Sequence, residues 1–152
     1  LHAMSRMSDI FHHEAFAKII EEGSKLRTYA KVKTGKGFED YLSFIKHIET
    51  RTALTKIRLS NHDLMIETGR HQGIILNQRT FSLCNSNDIE DEAHLLLSCS
   101  TYSALRRELF NAVELNIPSF SLLSKEDQMK ILLSDVTVLT DSGKFLWRAL
   151  EI

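Results

Sequence analysis

Proline and cysteine are scarce in this chain of 152 residues, which contains one proline, Pro118, and two cysteines, Cys84 and Cys99. Because proline interrupts helices and marks turns, its scarcity, together with few strand-like alternations of apolar and polar residues, predicts an all-α protein. Two cysteines cannot build the disulfide framework of a small secreted domain, and a reducing compartment therefore fits best. We expect an intracellular protein, either nuclear or cytoplasmic.

Long apolar runs and a strong net charge are also missing. The apolar runs extend over only a handful of residues, far fewer than a membrane span needs, and no apolar segment of a signal peptide follows residues 1–7. The formal net charge of −1 gives no indication for or against nucleic acid. The length suffices for one domain with a buried core. Because the chain begins with Leu rather than Met, we expect it to be part of a longer protein.

Recognisable catalytic motifs are absent as well. The sequence has no glycine-rich phosphate loop, no Ser or Cys nucleophile motif with an accompanying base, and no paired aspartates of a polymerase palm. We therefore expect no enzymatic activity.

Apolar residues at helical spacing recur along most of the chain. They predict helices over 9–21, 25–33 and 61–68, from Phe38 to Ile45, from Thr50, over 101–115, from Ser124, and from Val138 or Asp141. Gly69 is predicted to be the C-cap of the helix over 61–68, and residues 74–76 allow a short strand. The resulting prediction is a mainly α, single domain over 1–152, with a basic helical part (1–80), a small irregular knuckle (81–100) and a second helical part (101–152). The residues expected to be buried are Leu54, Ile57, Leu64, Leu95, Leu105, Leu109, Leu132 and Phe145.

The knuckle contains three candidate metal ligands, Cys84, His94 and Cys99. Their spacing gives three quarters of a C-x2-C…H-x4-C site, the pattern of structural zinc. The fourth position is occupied by Phe81, so we expect zinc to be weakly bound or absent. Two other interpretations remain open: two thiols buried in a helical core, and a catalytic three-ligand zinc with Glu90 or Glu92 as the base.

Basic residues are concentrated between residues 25 and 58, where few acidic residues accompany them. Spacings of four and seven residues place pairs of them on common helical faces. Such a stripe is suited to a phosphate backbone, although an ordinary solvated surface has the same composition. The candidate nucleic-acid-binding residues are Lys25, Arg27, Lys31, Lys33, Arg51, Lys56, Arg58, Arg70 and Arg79.

The order of several short motifs adds a resemblance. The stretches are Ser60-Asn-His-Asp-Leu-Met-Ile-Glu-Thr-Gly-Arg70, then Arg79-Thr-Phe-Ser-Leu-Cys84, then Ile89-Glu-Asp-Glu-Ala-His-Leu-Leu-Leu-Ser-Cys99. Together they resemble the zinc-knuckle region at the C-terminus of non-LTR (LINE-type) retrotransposon polyproteins, downstream of the reverse transcriptase core. The typical run there is NHxLxIExGR, RxCPLC and (I/V)EDExHFLxxCPxY. The resemblance covers most of the chain from about residue 25.

This resemblance implies a non-catalytic appendage of a reverse transcriptase. It implies contact with an RNA or DNA backbone and with the upstream polymerase domain of the same polyprotein, and no membrane partner. Phe81 stands where the family has Cys, and Ser82 and Ser100 stand where it commonly has Pro, departures that resemble drift in a decaying copy. The alternative is a helical protein-interaction module that has lost its zinc site and binds no nucleic acid.

Overall fold

The mainly helical fold is confirmed by a computed structural model, which describes residues 26–33 and 38–151. Seven α-helices lie in these ranges: α1 (Arg27–Val32), α2 (Tyr41–Phe44), α3 (Ile48–Arg58), α4 (Met65–His71), α5 (Ser103–Asn116), α6 (Lys125–Ser134) and α7 (Leu139–Leu150). Within the same ranges there is one isolated β-bridge and no sheet. No helix in the described part of the chain is long and apolar enough to cross a membrane. The predicted helix over 9–21 and the candidate Lys25 lie outside these residues.

The core is centred on the pairing of α3 with α7, which make the most extensive helix contact in the structure. Leu54 and Ile57 of α3 and Leu146 of α7 are completely buried there. The two helices approach closely at Gly143, where a Cβ atom would lie 2.7 Å from Cγ2 of Thr50. Helices α5 and α6 also pack against α7. Of the eight residues predicted to be buried, seven are buried, and Leu105 is half-buried against the core.

Local sequence signals predicted one helix end correctly, at the start of α6, and one incorrectly, at the end of α4. Helix α6 begins after Ser124, where the sequence predicts a helix start: the Ser124 hydroxyl accepts a hydrogen bond from the Asp127 amide at 3.1 Å and caps the helix. The chain reaches this cap after Pro118, with Ser119 in the left-handed conformation.

The predicted C-cap at Gly69 is wrong. Gly69 lies inside α4, and the helix ends two residues later, with the left-handed Gly73 beyond it. A glycine is needed at position 69 for another reason: a Cβ atom there would lie 2.7 Å from Cγ of Arg79, whose side chain crosses the helix. The short strand over 74–76 is also wrong, because the chain forms a 3-10 turn over Leu76–Gln78.

Candidate metal centre

A short irregular hairpin brings Cys84 to the core. Its base is the antiparallel bridge between Thr80 and Ile89, next to a hydrogen bond of 2.8 Å from the Glu90 amide to the Arg79 carbonyl. Asn87 adopts a left-handed conformation at the tip, as its side chain allows. The two ends of the segment are thereby held together, and Cys84 is buried inside it.

The other two ligands lie at the two ends of a π-helical turn, His94–Ser98. The Cys99 amide donates to the His94 carbonyl at 2.8 Å, a bond that spans five residues. In an α-helix, residues five apart point about 140° away from each other, whereas a π-turn brings them closer to alignment. The His-x4-Cys spacing is therefore matched by the backbone of this turn.

Cys84, His94 and Cys99 converge. One potential ligand atom from each residue lies within 4.8 Å of the other two, and all three residues are buried. The Nε2 atom of His94 is buried without a hydrogen-bond partner, as expected of a nitrogen that is free to bind a metal. The opposite ring atom, Nδ1, lies 3.5 Å from the Ser98 hydroxyl and 3.9 Å from an Asp88 carboxylate oxygen. The sequence therefore identified three side chains that lie close together and could bind a metal.

The surroundings of the cluster favour a thiolate at Cys84. Its sulfur lies 3.3 Å from the Ser86 hydroxyl and 3.6 Å from the Ser100 hydroxyl. Hydrogen bonds from Ser86 and then Ser100 to the ionised sulfur lower the pKa of Cys84 to about 5. A thiolate is the form of cysteine that binds metals.

Arg106 of α5 holds the backbone between Leu95 and Cys99 in place. Its guanidinium donates to the carbonyls of Leu96 (2.9 Å), Leu95 (3.1 Å) and Cys99 (2.7 Å). These bonds satisfy the carbonyl groups that the end of the π-turn leaves open. Burial lowers the pKa of Arg106, and its interaction with Cys99 and Cys84 partly offsets this shift.

In the sequence, Phe81 occupies the position at which a fourth ligand would complete the C-x2-C spacing. It is half-buried, packs against the hydrophobic core, and stacks on Tyr102 with ring centroids 6.1 Å apart. The ring therefore contributes to packing at the edge of the knuckle.

The structure also locates eight of the nine candidate nucleic-acid-binding residues. The side chains of Lys31 and Lys56 are exposed and form no hydrogen bond or ion pair within the described ranges. Lys33 is half-buried, and its Nζ lies 2.6 Å from a carboxylate oxygen of Glu39. Arg58 is buried, pairs with the same Glu39, donates to the Leu133 carbonyl, and lies over the ring of Tyr41.

The remaining arginines of the set also contact the protein itself. Arg27 pairs with Glu67 and Glu92, and Arg70 pairs with Glu67. Arg51 donates to the carbonyls at positions 42 and 45, and Arg79 donates to those at positions 66 and 74. Six of the eight located side chains therefore hold elements of the fold together, and the two lysines are the ones that face solvent without a partner.

A buried ion network around Glu92 was not found from the sequence. One oxygen, Oε1, accepts from Arg27 (2.8 Å), Thr28 (3.0 Å), Ser60 (3.1 Å) and His62 (3.0 Å), and Oε2 accepts from Arg27 at 2.9 Å. Glu90 is buried nearby, and its carboxylate accepts from the Met65 amide at 2.8 Å. The acidic stretch before His94 looks solvent-exposed in the sequence, because no local pattern reveals partners in distant helices.

No family model, no curated protein and no solved structure matches the chain.

Proposed function

We propose that this chain is a non-catalytic helical module in which Cys84, His94 and Cys99 hold a structural metal ion. The observation that carries the proposal is the convergence of these three buried side chains, which are 10 and 5 residues apart in the sequence, on one point in the fold. Two sulfurs and an imidazole nitrogen form a donor set that suits zinc. With three protein ligands, we expect weaker binding than at a complete four-ligand site.

The second part of the proposal is nucleic-acid binding, as the resemblance to the C-terminal region of non-LTR retrotransposon polyproteins implies. The exposed Lys31 and Lys56 support this role, because unpaired surface lysines attract phosphates. The chain would then be an appendage that follows a polymerase domain and contacts the backbone of RNA or DNA.

Metal analysis tests the first part. Protein purified without added zinc should contain less than one equivalent, and titration with cobalt should produce the absorption of a thiolate-bound ion. Cys99→Ser should abolish that absorption, whereas the exposed Ser82→Ala should leave it unchanged. Failure to bind cobalt or zinc at micromolar concentrations would contradict the metal centre.

A gel-shift titration at two salt concentrations tests the second part. If about four phosphates are contacted, raising salt from about 50 to about 200 mM should weaken binding on the order of a hundredfold. Lys31→Ala with Lys56→Ala should reduce the slope of log affinity against log salt by about 0.7–0.9 per contact. Lys144→Ala is the control, because this exposed lysine pairs with Asp141 outside the predicted set. Absence of a shift at low salt would contradict nucleic-acid binding.

The alternative function, a helical protein-interaction module, is favoured by a specific observation. Lys33 and the five arginines at positions 27, 51, 58, 70 and 79 contact carboxylates or carbonyls of the chain itself. Engaged side chains of this kind are less available to a phosphate backbone. A protein that binds metal but no nucleic acid in the two tests above would conform to this alternative.

A further inference from the structure

A cleft of about 630 Å³ lies between α1, α6 and residues 89–93 of the knuckle. Its volume lies within the range of ordinary binding pockets. About half of the lining residues are apolar. They are Val32, Ile66, Leu76, Ile89, Ala93, Met129 and Leu133.

Helix α6 supplies one wall as a continuous stripe. Met129 and Leu133 are four residues apart and therefore lie on one face of the helix. Leu133 is completely buried, Met129 is half-buried, and Leu76 on the other side of the cleft is 52% exposed. Methionine adapts its shape to a bound apolar surface, which suits a docking site.

Lysines line the same cleft. The side chains of Lys31 of α1 and of Lys125 and Lys130 of α6 are exposed and form no hydrogen bond or ion pair within the described part of the chain. Three carboxylates also line the cleft. Glu92 is buried and paired with Arg27. Asp91 is half-buried and accepts from the neutral His94 amide at 2.7 Å, which leaves its negative charge in place, and Glu126 is exposed. Three lysines against Asp91 and Glu126 leave the rim with a small net positive charge.

We propose that this cleft binds an acidic amphipathic helix of a protein partner. Apolar side chains of the partner, spaced at i, i+3 and i+4, would cover the aliphatic floor, and its flanking carboxylates would pair with the three lysines. None of the described residues that line the cleft is aromatic, so the stacking platforms typical of single-stranded nucleic-acid sites are missing from that lining. The proposal does not depend on the metal; it shares Lys31 with the surface proposed to contact nucleic acid, whereas Lys125 and Lys130 are specific to the cleft.

A fluorescence-anisotropy titration of the full chain tests the proposal with three synthetic probes. The first is a labelled peptide of about 18 residues, or five helical turns, with a leucine face flanked by glutamates. The second carries the same leucines flanked by lysines, and the third is a single-stranded oligonucleotide of similar length. We expect the glutamate peptide to bind at least about tenfold more tightly than the lysine peptide, since the flanking charge is the only difference between them.

Variants then locate the site. Lys125→Glu with Lys130→Glu should lower the affinity for the glutamate peptide about tenfold. Leu76→Glu should also lower this affinity, because it places a charge among the apolar residues of the cleft. Lys144→Glu, an equivalent change at an exposed lysine that neither lines the cleft nor belongs to the predicted nucleic-acid-binding set, should have no effect. All four positions are exposed, and circular dichroism should show unchanged helix content. Equal binding of the two peptides, no response to the cleft variants, or tighter binding of the oligonucleotide that is lost in Lys125→Glu with Lys130→Glu would each overturn the proposal.

Discussion

Arg27 and Glu92 are 65 positions apart in the chain and form a bidentate contact, with Nη2 of the arginine 2.8 and 2.9 Å from the two carboxylate oxygens. The pair links the first described helix directly to the residues that precede His94. Because Glu92 is buried, its charge depends on Arg27 and on the hydrogen-bond donors around it. The position of the metal cluster relative to the helical body is therefore fixed by an electrostatic contact as well as by apolar packing.

Replacement of Glu92 should destabilise the protein strongly. Glu92→Gln removes one of the two carboxylates that pair with Arg27 and the charged acceptor of His62, so we expect a loss of about 2–3 kcal/mol in the free energy of unfolding. Urea denaturation measures it. Glu108→Gln is the matched control, because Glu108 pairs with Arg148 at an exposed site, and its loss should cost less than about 1 kcal/mol. Equal effects of the two substitutions would contradict the importance of the buried network.

Acid should protonate Glu92 and thereby weaken the ion network around it. Burial alone would raise the pKa of Glu92, but the hydrogen bond from His62 and the charge of Arg27 outweigh it and lower the pKa to about 2. A carboxyl whose pKa is lower in the folded state than in the unfolded state stabilises the fold above the unfolded value and loses that contribution as it becomes protonated. Stability should therefore fall between about pH 4.5 and pH 2.

The other buried carboxylates modify this profile in known directions. The pKa of Glu67 is lowered by Arg27 and Arg70 in spite of burial, which adds to the loss in acid. The pKa of Glu90 is raised by burial, so its contribution has the opposite sign. Unfolding curves recorded at several pH values should show a smaller decline in Glu92→Gln than in the wild type. An identical decline in the two proteins would show that groups other than Glu92 cause the acid sensitivity.

The periodicity of apolar residues was sufficient to predict the helical fold and most of the core. Leu54, Ile57 and Leu132 are buried as predicted, because helical spacing places them on one face and the core is built from such faces. The prediction at Gly69 was wrong because a glycine next to a helix end looks like a cap. Its actual role depends on Arg79, whose position across α4 is a tertiary contact.

The candidate metal site was predictable in part, since Cys, His and Cys at short spacing lie near one another in a compact loop, although the alignment of His94 with Cys99 also requires the π-turn. The partners of Arg27, Arg58 and Arg79 were not predictable. The sequence shows that a side chain is charged. Whether that side chain is buried, and which group it pairs with, depends on which helices pack together in the fold. The carboxylate that accepts from Arg27 lies in a segment that looks like an exposed acidic loop.

Restoration of a cysteine at position 81 should complete the metal site. Phe81→Cys creates the C-x2-C spacing, so we expect tight zinc binding and a zinc-dependent gain in stability of several kcal/mol. Thermal denaturation with zinc and with a chelator measures the gain. The comparison must be made within the variant, because the loss of the ring removes its contact with Tyr102. Ser82→Cys, one position later, is the control and should show no such gain; a similar response of both variants would contradict the assigned geometry.

Asp88 should act as a positioning residue for His94. Its carboxylate faces the Nδ1 side of the imidazole, opposite the unpartnered Nε2. Carboxylates that hold the second nitrogen of a metal-binding histidine typically contribute 10–100-fold in affinity, and we expect a loss of about that size for Asp88→Asn. Competition with a coloured chelator, in the Phe81→Cys background, measures it. Asp63→Asn, at another exposed aspartate, should leave the affinity unchanged, and a loss in both variants would indicate a general charge effect.

The contact between α3 and α7 should be intolerant of a single methyl group. Alanine favours a helix over glycine by about 1 kcal/mol, yet Gly143→Ala places its Cβ atom 2.7 Å from Cγ2 of Thr50. We therefore expect a net destabilisation of about 1–2 kcal/mol. Thr50→Ser removes that methyl group and should recover part of the loss in the double variant. Stabilisation by Gly143→Ala alone would show that the two helices separate readily.

The π-turn at His94–Ser98 fixes the number of residues between His94 and Cys99, and this limits how the length of the segment can change in evolution. A bond from Cys99 to His94 requires four residues between them, whatever their side chains are. Substitutions within Leu95–Ser98 change packing, whereas insertion of one residue would place the histidine and the cysteine six positions apart, about 120° from each other on an α-helix, and move the sulfur away from the imidazole. Related sequences should therefore contain amino-acid replacements in the turn more often than insertions.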